Sequence, residues 1–324
     1  MPVQYDSVLE EHAAVRSSAG IFDVSHLGRF EARGPGAIEL LRAQLCNDIA
    51  RIEPGRAQYT MALNGSGGVE DDIIVWWLED DRFWVMPNGT NFDEIMSRFE
   101  TMASNDVTFS DVRSDTVLLA VQGPDAPAIV ESVLGFTPGR FRVATGQFNG
   151  VDVIAAGTGY TGERGAEICA PVEVGEVLWN ALVVGGARPA ALGARDTLRL
   201  EMGFPLWGQD LTEATTPIDA GLGWVVSWDH DFVGKEALVD IRENPHSELV
   251  AFKTEGRAIP RHGYRVQTES GSGVVTSGNF SPSLGHGIGL AYVSPPPSAS
   301  ETMTVEIRGK DVEATRVTLP FLKR

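Results

Sequence analysis

The chain has 324 residues, of which 43% are hydrophobic and 22% charged, so it carries enough apolar material to build a folded core. Its 44 acidic and 26 basic residues give a net charge of −18. That balance excludes general nucleic-acid binding, which needs a basic surface to replace phosphate counterions. It also argues against attachment to an anionic membrane surface.

The cysteines and the apolar runs indicate a cellular compartment. Cys46 and Cys169 fit no zinc or redox spacing, so we expect two buried, inert thiols. With six histidines and no pair at metal-ligand spacing, we expect no metal site. The N-terminal stretch lacks a signal-peptide core and no apolar run reaches a membrane-spanning length. We therefore expect a soluble, cytoplasmic protein without a membrane span.

The first elements alternate between helical and extended patterns. Apolar residues at helical spacing predict helices at 7–17 and 37–45, and polar alternation predicts one strand over 21–33. A hairpin follows, with β-runs at 58–63 and 71–78 on either side of an Asn-Gly-Ser-Gly-Gly turn. Asparagine and glycine tolerate positive φ, which such a turn requires.

Further β-runs are predicted at 82–86 and 117–121, and helices at 91–102 and 125–134. Taken together, the elements up to this point resemble the β-α-β-β-α-β order of a ferredoxin-like unit, and we expect that module at about 50–135. A second α+β module comes next in the chain. From about residue 247 the pattern changes to short strands separated by turns rich in Gly, Ser and Pro, which predicts a small β-barrel or sandwich. We therefore expect an α+β domain of two interleaved modules at 1–244 and a β-domain at 245–324.

The segment Gly157-Thr-Gly-Tyr-Thr-Gly162 matches the glycine pattern of dinucleotide-binding proteins. That fingerprint requires a helix directly after the glycines, whose N-terminus holds the pyrophosphate. Here a short β-run at 166–170 follows instead. The segment therefore predicts a tight loop and no nucleotide site.

Two adjacent carboxylates, Asp71 and Asp72, stand at the head of an apolar strand directly after the glycine turn. Strand alternation sends neighbouring side chains to opposite faces, so one aspartate should point inward or into a cavity. Both faces are apolar, and the sequence pattern does not distinguish them. A carboxylate in an apolar, aromatic site would have a raised pKa and could handle a proton. A pair that only caps the turn is the structural alternative.

One predicted helix carries two arginines, Arg195 and Arg199, four residues apart beside acidic side chains. Two like charges at this spacing need acidic or anionic partners. The pair fits either a structural salt-bridge network or a clamp for a ligand carboxylate, because the planar guanidinium matches a carboxylate in two hydrogen bonds.

Seven blocks, in order and spread over nearly the whole chain, together resemble the glycine cleavage T-protein family. They are GIFDVSHLG (20–28), YTMALNGSGGVEDD (59–72), TGYTGERGAE (158–167), LGARDTLRLE (192–201), LWGQDL (206–211), DFVGKEAL (231–238) and TSGNFSPSL (276–284). The resemblance implies a trimodular α+β ring around a central folate channel, closed by a C-terminal β-barrel.

The same resemblance implies an aminomethyltransferase of the glycine cleavage system. A lipoylated carrier protein of the H type would deliver an aminomethyl group. Tetrahydrofolate, as co-substrate, would take up the one-carbon unit and ammonia would leave. We expect a monomer or weak homodimer.

The family pattern selects Asp72, rather than Asp71, as the catalytic carboxylate, which would hold the folate and assist proton movement. The other positions that match folate-binding residues of the family are Leu27, Tyr59, Asn88, Tyr160, Glu167, Arg195 and Phe204. Glu167 would bind the pterin edge and Tyr160 would line the pterin pocket. Methionine is common in the family at Leu27, and tyrosine occurs at Phe204.

Two alternatives and one departure accompany this prediction. A folate-dependent demethylase of a methylated amine or sulfonium compound would share the fold. A non-enzymatic folate-binding accessory protein would carry a Lys-Gly-Cys-Tyr motif and no paired aspartates, which this sequence contradicts. The family usually has a further stretch before the Met-Pro with which this sequence begins, so we expect an added upstream segment to raise activity or stability.

Overall fold

The computed structural model of the protein describes residues 2–256, 258–298 and 301–323. Its helices, in chain order, are α1 (Val8–Ser17), α2 (Ala37–Gln44), α3 (Phe92–Met102), α4 (Ala126–Leu134), α5 (Val172–Val184), α6 (Leu192–Glu201) and α7 (Lys235–Glu243). Its first eleven strands are β1 (Gly20–Asp23), β2 (Phe30–Arg33), β3 (Arg56–Leu63), β4 (Val69–Glu79), β5 (Arg82–Met86), β6 (Thr108–Asp111), β7 (Thr116–Gln122), β8 (Val143–Phe148), β9 (Val151–Ala156), β10 (Gly165–Pro171) and β11 (Arg188–Pro189). This mixture confirms the predicted α+β class.

The described residues divide into two compact units. The first holds the residues up to 62, together with 71–195 and 227–232. The second holds 63–70, 196–226 and the described residues from 233 onward.

A five-stranded sheet with the order β3-β4-β5-β2-β6 carries the predicted hairpin. Asn64 shapes its turn, because the side-chain oxygen accepts hydrogen bonds from the backbone N–H groups of Ser66 and Gly68, both at 2.9 Å. The apolar side chains of one sheet face, among them Phe30, Ile73 and Val75, pack into one core with residues of α2 and α3. The predicted hairpin is thus confirmed.

A second sheet, with the order β11-β1-β7-β10-β9-β8, lies in the first unit. Its β7, β8, β9 and β10 are joined by antiparallel pairs, and their apolar residues form a core with those of α4 and α5. Both β7 and α4 fall within the predicted range of about 50–135 and belong to this second sheet and its core. The five-stranded sheet draws its strands from 30–111.

The C-terminal strands close into a barrel. They are β12 (Glu248–Thr254), β13 (Arg265–Thr268), β14 (Ser272–Phe280), β15 (Gly287–Ser294), β16 (Met303–Ile307) and β17 (Lys310–Val317), in the barrel order β12-β15-β14-β13-β16-β17. Its interior is apolar, with Phe252, Val275 and Val293 fully buried. The predicted C-terminal β-barrel is therefore confirmed. Within the ranges that the structure describes, no helix is both long and apolar enough to cross a membrane.

The prediction of one strand over 21–33 is wrong, because the chain leaves the second sheet after β1 and enters the five-stranded sheet at β2. Arg29, which is fully buried, explains the break. Its guanidinium donates to the carbonyl oxygens of Ser25 at 3.1 Å, Leu27 at 2.9 Å and Thr116 at 3.2 Å. Hydrogen bonds from Arg29 to these carbonyls stabilise a turn between β1 and β2. The alternation of polar and apolar residues does not predict such a turn.

We expect Arg29→Met to lower the free energy of unfolding by about 3 kcal/mol or more, because several buried carbonyls would lose their donor. Urea unfolding followed by circular dichroism measures the change. Arg33→Met, at an exposed position, is the matched control and should change stability by less than about 0.5 kcal/mol. Equal stability of the two variants would contradict a structural role for the Arg29 charge.

Candidate functional site

Strand β4 places its two adjacent aspartates in different surroundings. Asp71 is fully buried, on the face whose next residues, Ile73 and Val75, belong to the helix-covered core. Asp72 points to the other face and is partly exposed. The alternation predicted from the sequence is present, and the structure adds what the pattern left open: Asp71 is the inward carboxylate, and Asp72 is the one that solvent or a ligand can reach.

Asn88, just after β5, donates hydrogen bonds to both carboxylates. Its side-chain nitrogen donates to Oδ1 of Asp71 at 2.6 Å and to Oδ1 of Asp72 at 2.9 Å. Its backbone N–H donates to Oδ2 of Asp71 at 2.8 Å. Because ionised carboxylates only accept hydrogen bonds, the NH₂ group of Asn88 has to face this pair.

Asn91, the residue before α3, gives Asp71 a further donor, at 2.9 Å from its side-chain nitrogen to Oδ1. These hydrogen bonds favour the ionised carboxylate, but burial and the neighbouring charge of Asp72 oppose them. Burial is the largest cause, and the pKa of Asp71 is raised from 3.8 to about 7. Asp71 is thus a buried acid whose charge changes near neutral pH.

Tyr59 on β3 binds the other oxygen of Asp72. Its hydroxyl donates to Oδ2 at 3.1 Å. Burial raises the pKa of Tyr59 well above its ordinary value, and the charge of Asp72 and the neighbouring Tyr160 add to the effect. The phenol therefore stays protonated and remains a donor to Asp72. The structure thus brings Tyr59 and Asn88 to the same carboxylate, and Tyr160 is a neighbour of Tyr59.

Two more predicted residues, Arg195 and Glu167, lie near Tyr160 or near each other in the same unit. The guanidinium carbon of Arg195 lies 4.7 Å from the ring centre of Tyr160, which is cation–π geometry. Glu167 on β10 is buried and accepts a hydrogen bond from the hydroxyl of Thr158. Burial raises the pKa of Glu167, while the hydrogen bond from Thr158 and the charge of Arg195 lower it. The guanidinium of Arg195 therefore lies near both the Tyr160 ring and the Glu167 carboxylate.

The loop at 157–165 that carries Tyr160 is held by Gln122 at the end of β7. The Gln122 amide donates to the carbonyl of Thr158 at 3.1 Å and accepts from the hydroxyl of Thr161 at 2.9 Å. A Cβ on Gly159 would lie 2.0 Å from the amide oxygen of Gln122, so a larger residue would displace this contact. Strand β10 follows the loop, which confirms the predicted tight loop without a helix.

Leu27 lies in the turn after β1, beside the segment that carries Asn88. The N–H of Gly28 donates to the carbonyl of Pro87 at 2.9 Å. A Cβ on Gly89 would lie 2.1 Å from the carbonyl oxygen of His26, so the two backbones are in close contact. Leu27 is half-buried there.

Phe204 differs from the other predicted residues, because it follows α6 in the second unit. Arg199 lies in the same unit and forms a buried network. Its guanidinium pairs with Asp210 at 2.9 Å and Asp196 at 2.8 Å, and donates to the carbonyl of Phe204 at 3.1 Å. The salt-bridge interpretation is therefore right for Arg199, whereas Arg195 lies against Tyr160. The folate role of Phe204 stays a prediction.

Two residues of this region were missed by the sequence analysis. Asn91 binds Asp71, and Thr158 binds Glu167. Two asparagines three residues apart, at 88 and 91, occur in many turns and helix starts, so this spacing does not indicate a site. Thr158 begins the block TGYTGERGAE, but the sequence does not show that its hydroxyl binds Glu167. Among the residues that the structure describes, no group of three or more His, Cys, Asp or Glu side chains could hold a metal ion.

Family models match both parts of the chain. The GCVT N-terminal domain matches residues 1–230, and the glycine cleavage T-protein C-terminal barrel domain matches residues 248–323. The chain belongs to the glycine cleavage T-protein family. The family predicted from the seven blocks is thus confirmed.

Relatives of similar length agree with this membership. The chain is 43% identical to an aminomethyltransferase of Frankia alni, over 99% of this chain and 91% of the relative. It is 39% identical to an aminomethyltransferase of Halothermothrix orenii, over 99% and 93% of the two chains. The crystal structure of the glycine cleavage system aminomethyltransferase T from Bartonella henselae superposes with a TM-score of 0.91 at 33% identity, covering 99% of this chain and 91% of that one.

We expect the stability of this T-protein family member to depend on pH through Asp71. The native state binds the Asp71 proton more tightly than the unfolded chain, so stability falls as pH rises from about 4 to about 7 and then levels off. The pKa shift corresponds to at most roughly 4 kcal/mol. Asp71→Asn removes this dependence.

Urea unfolding of the wild type and Asp71→Asn at pH 4.5, 6 and 8 measures it. The stability of the variant relative to the wild type should rise with pH, whatever constant offset the lost acceptor causes. A difference that does not change with pH would contradict a raised pKa for Asp71.

Proposed function

We propose that this protein is an aminomethyltransferase that passes a one-carbon unit from the lipoyl group of a carrier protein to tetrahydrofolate, with release of ammonia. The observation that carries the proposal is the Asp72 carboxylate, half-exposed and bound at one oxygen by Tyr59 and at the other by Asn88. These residues occur in a chain of the T-protein family.

The residues around Asp72 fit tetrahydrofolate by their chemistry. A reduced pterin is flat and carries several N–H donors on one edge. Glu167 offers a carboxylate acceptor for such an edge, and Tyr160 offers a ring for contact with the flat system. Arg195 has a positive charge suited to an anionic ligand group, and Leu27 adds apolar surface beside Asn88.

Bound tetrahydrofolate would supply a nucleophilic nitrogen for the one-carbon unit. Asp72 would then act by its position and charge. Because Tyr59 and Asn88 each hold one oxygen, the carboxylate has one orientation and need not reorganise during the reaction. Its negative charge stabilises positive charge that develops nearby, and it can exchange a proton with the reacting groups.

A lipoylated carrier protein would bring the aminomethyl group, as in the glycine cleavage system that gives the family its name. Cys46 and Cys169 are both buried and unbridged, which fits a reducing compartment such as the cytoplasm. We propose a monomer or a weak homodimer for the working form.

We expect Asp72→Asn to lower the rate of transfer by about 100-fold or more, because the amide cannot carry the negative charge or exchange the proton. An assay with lipoylated carrier, glycine decarboxylase, glycine and tetrahydrofolate measures the rate. Asp152→Asn, at an exposed position of β9, is the matched control and should keep the wild-type rate.

Two outcomes of that assay would count against the proposal. Full activity of Asp72→Asn would remove Asp72 from the reaction. Inactivity of the wild type with the carrier, together with turnover of a methylated amine in a parallel assay, would assign a demethylase instead.

We expect Glu167→Gln to weaken tetrahydrofolate binding by about 10-fold or more, since a charged acceptor in a buried site is replaced by a neutral amide. Titration calorimetry gives the dissociation constant. The exposed Glu173→Gln is the control and should bind as the wild type does. Unchanged affinity of Glu167→Gln would place the pterin elsewhere.

A further inference from the structure

The buried Asp71 and the partly exposed Asp72 share one donor, the side-chain nitrogen of Asn88. We propose that Asp71 is a positioning residue for the transfer reaction: it fixes the Asn88 side chain, and Asn88 in turn holds Asp72 in its working orientation. This inference rests on the proposed function. Asp71 itself is fully buried on the core face of β4, so it acts through Asn88 and touches no substrate.

The first step is how Asp71 binds the segment after β5. Both of its oxygens take part: Oδ2 accepts the backbone N–H of Asn88 at 2.8 Å, and Oδ1 accepts the side-chain nitrogens of Asn88 at 2.6 Å and Asn91 at 2.9 Å. Contacts to the backbone and the side chain of one residue restrict both its position and its χ angles. Asn88 is therefore held by Asp71 more completely than a single hydrogen bond would allow.

The second step is the orientation of the Asn88 amide. An amide NH₂ has two hydrogens, and here the nitrogen lies within bonding distance of one oxygen of Asp71 and one of Asp72. A flipped amide would turn its oxygen toward two carboxylates, which is electrostatically unfavourable. When Asp71 is ionised, its buried charge therefore disfavours the flipped form and keeps a donor on Asp72.

The third step is the start of α3. Asparagine before a helix ordinarily accepts a hydrogen bond from the first turn with its side-chain oxygen. Asn91 makes no such cap and donates to Asp71 instead. The helix start forgoes a common stabilising contact, and the contact made in its place further fixes Asp71.

The charges that act on Asp71 come from few groups. Asp72, on the same strand, is the charged neighbour that raises its pKa, and Tyr59 on β3 bonds to Asp72. The first turn of α3 carries Asp93 and Glu94, both exposed, and Asp93 pairs with Arg113. A change in the ionisation of Asp71 therefore acts mainly on the hydrogen bonds from Asn88 and Asn91, which donate to it directly.

A double-mutant cycle tests the proposal in the transfer assay, with Asp71→Asn, Asn88→Ala and the double variant. Asparagine at 71 has one acceptor atom in place of two, so Asn88 loses a contact and kcat should fall by about 10-fold to 100-fold. If Asp71 acts through Asn88, its replacement changes kcat by less than about twofold in the Asn88→Ala background. Thermal melting of each variant shows that the losses occur in folded protein.

The outcomes separate this inference from the proposed function. Losses that multiply in the double variant, or full activity of Asp71→Asn, contradict the positioning role while leaving the function intact. A wild-type chain that transfers no one-carbon unit contradicts the proposed function and, with it, this role in it. Asp152→Asn serves again as the control with an unchanged rate.

A measurement without substrate tests the contact itself. With asparagine labelled by ¹⁵N, the side-chain amide signals of Asn88 and Asn91 should shift together between pH 5 and 9, with a shared midpoint of about 7. Asp71→Asn should abolish the shared titration and move the Asn88 signals. Asn88 signals that are the same in both proteins would overturn the proposal, whatever the activity of the enzyme.

Discussion

The arrangement of the site depends on one constraint: successive side chains on a β-strand point to opposite faces. On β4 this places Asp71 in an apolar core and Asp72 on the accessible face. Because they lie on opposite faces, the two carboxylates do not bind each other directly and need a shared partner to be linked. Asn88 reaches both from the end of the adjacent β5, because antiparallel pairing of β4 and β5 brings the two strand ends together. The site is therefore a property of the strand pair.

Buried polar groups hold the flanking loops of the same unit in a similar manner. Arg29 binds carbonyls of the turn that carries Leu27, and Gln122 binds the loop that carries Tyr160. Burying a polar side chain costs desolvation free energy, but here each side chain donates to backbone carbonyls that would otherwise lack a hydrogen-bond partner. Held in this way from the end of β7, the loop at 157–165 carries Tyr160, whose ring lies beside Arg195 of α6.

Much about this protein followed from its sequence alone. Short-range rules predicted the hairpin, since the Asn64 side chain accepts hydrogen bonds from its own turn and Gly67 adopts positive φ. They also predicted a strand after the glycine loop at 157–162. The even spacing of the last strands predicted a small β-barrel or sandwich, and the structure has the barrel. Seven ordered blocks predicted the family, which the family models confirmed. The hairpin, the loop and each of the seven blocks are signals that lie within a few consecutive residues.

Only the tertiary structure decided which aspartate is inside, because both faces of β4 are apolar and alternation is symmetric between them. It also decided that 21–33 forms two strands of different sheets, since Arg29 fixes the turn with carbonyls from distant parts of the chain. The bond between Asn91 and Asp71, twenty residues apart, has no local signature. The sequence by itself determined the local conformation of these segments and the membership of the family. The pairing of groups far apart in the chain arose only when folding brought their strands and loops together.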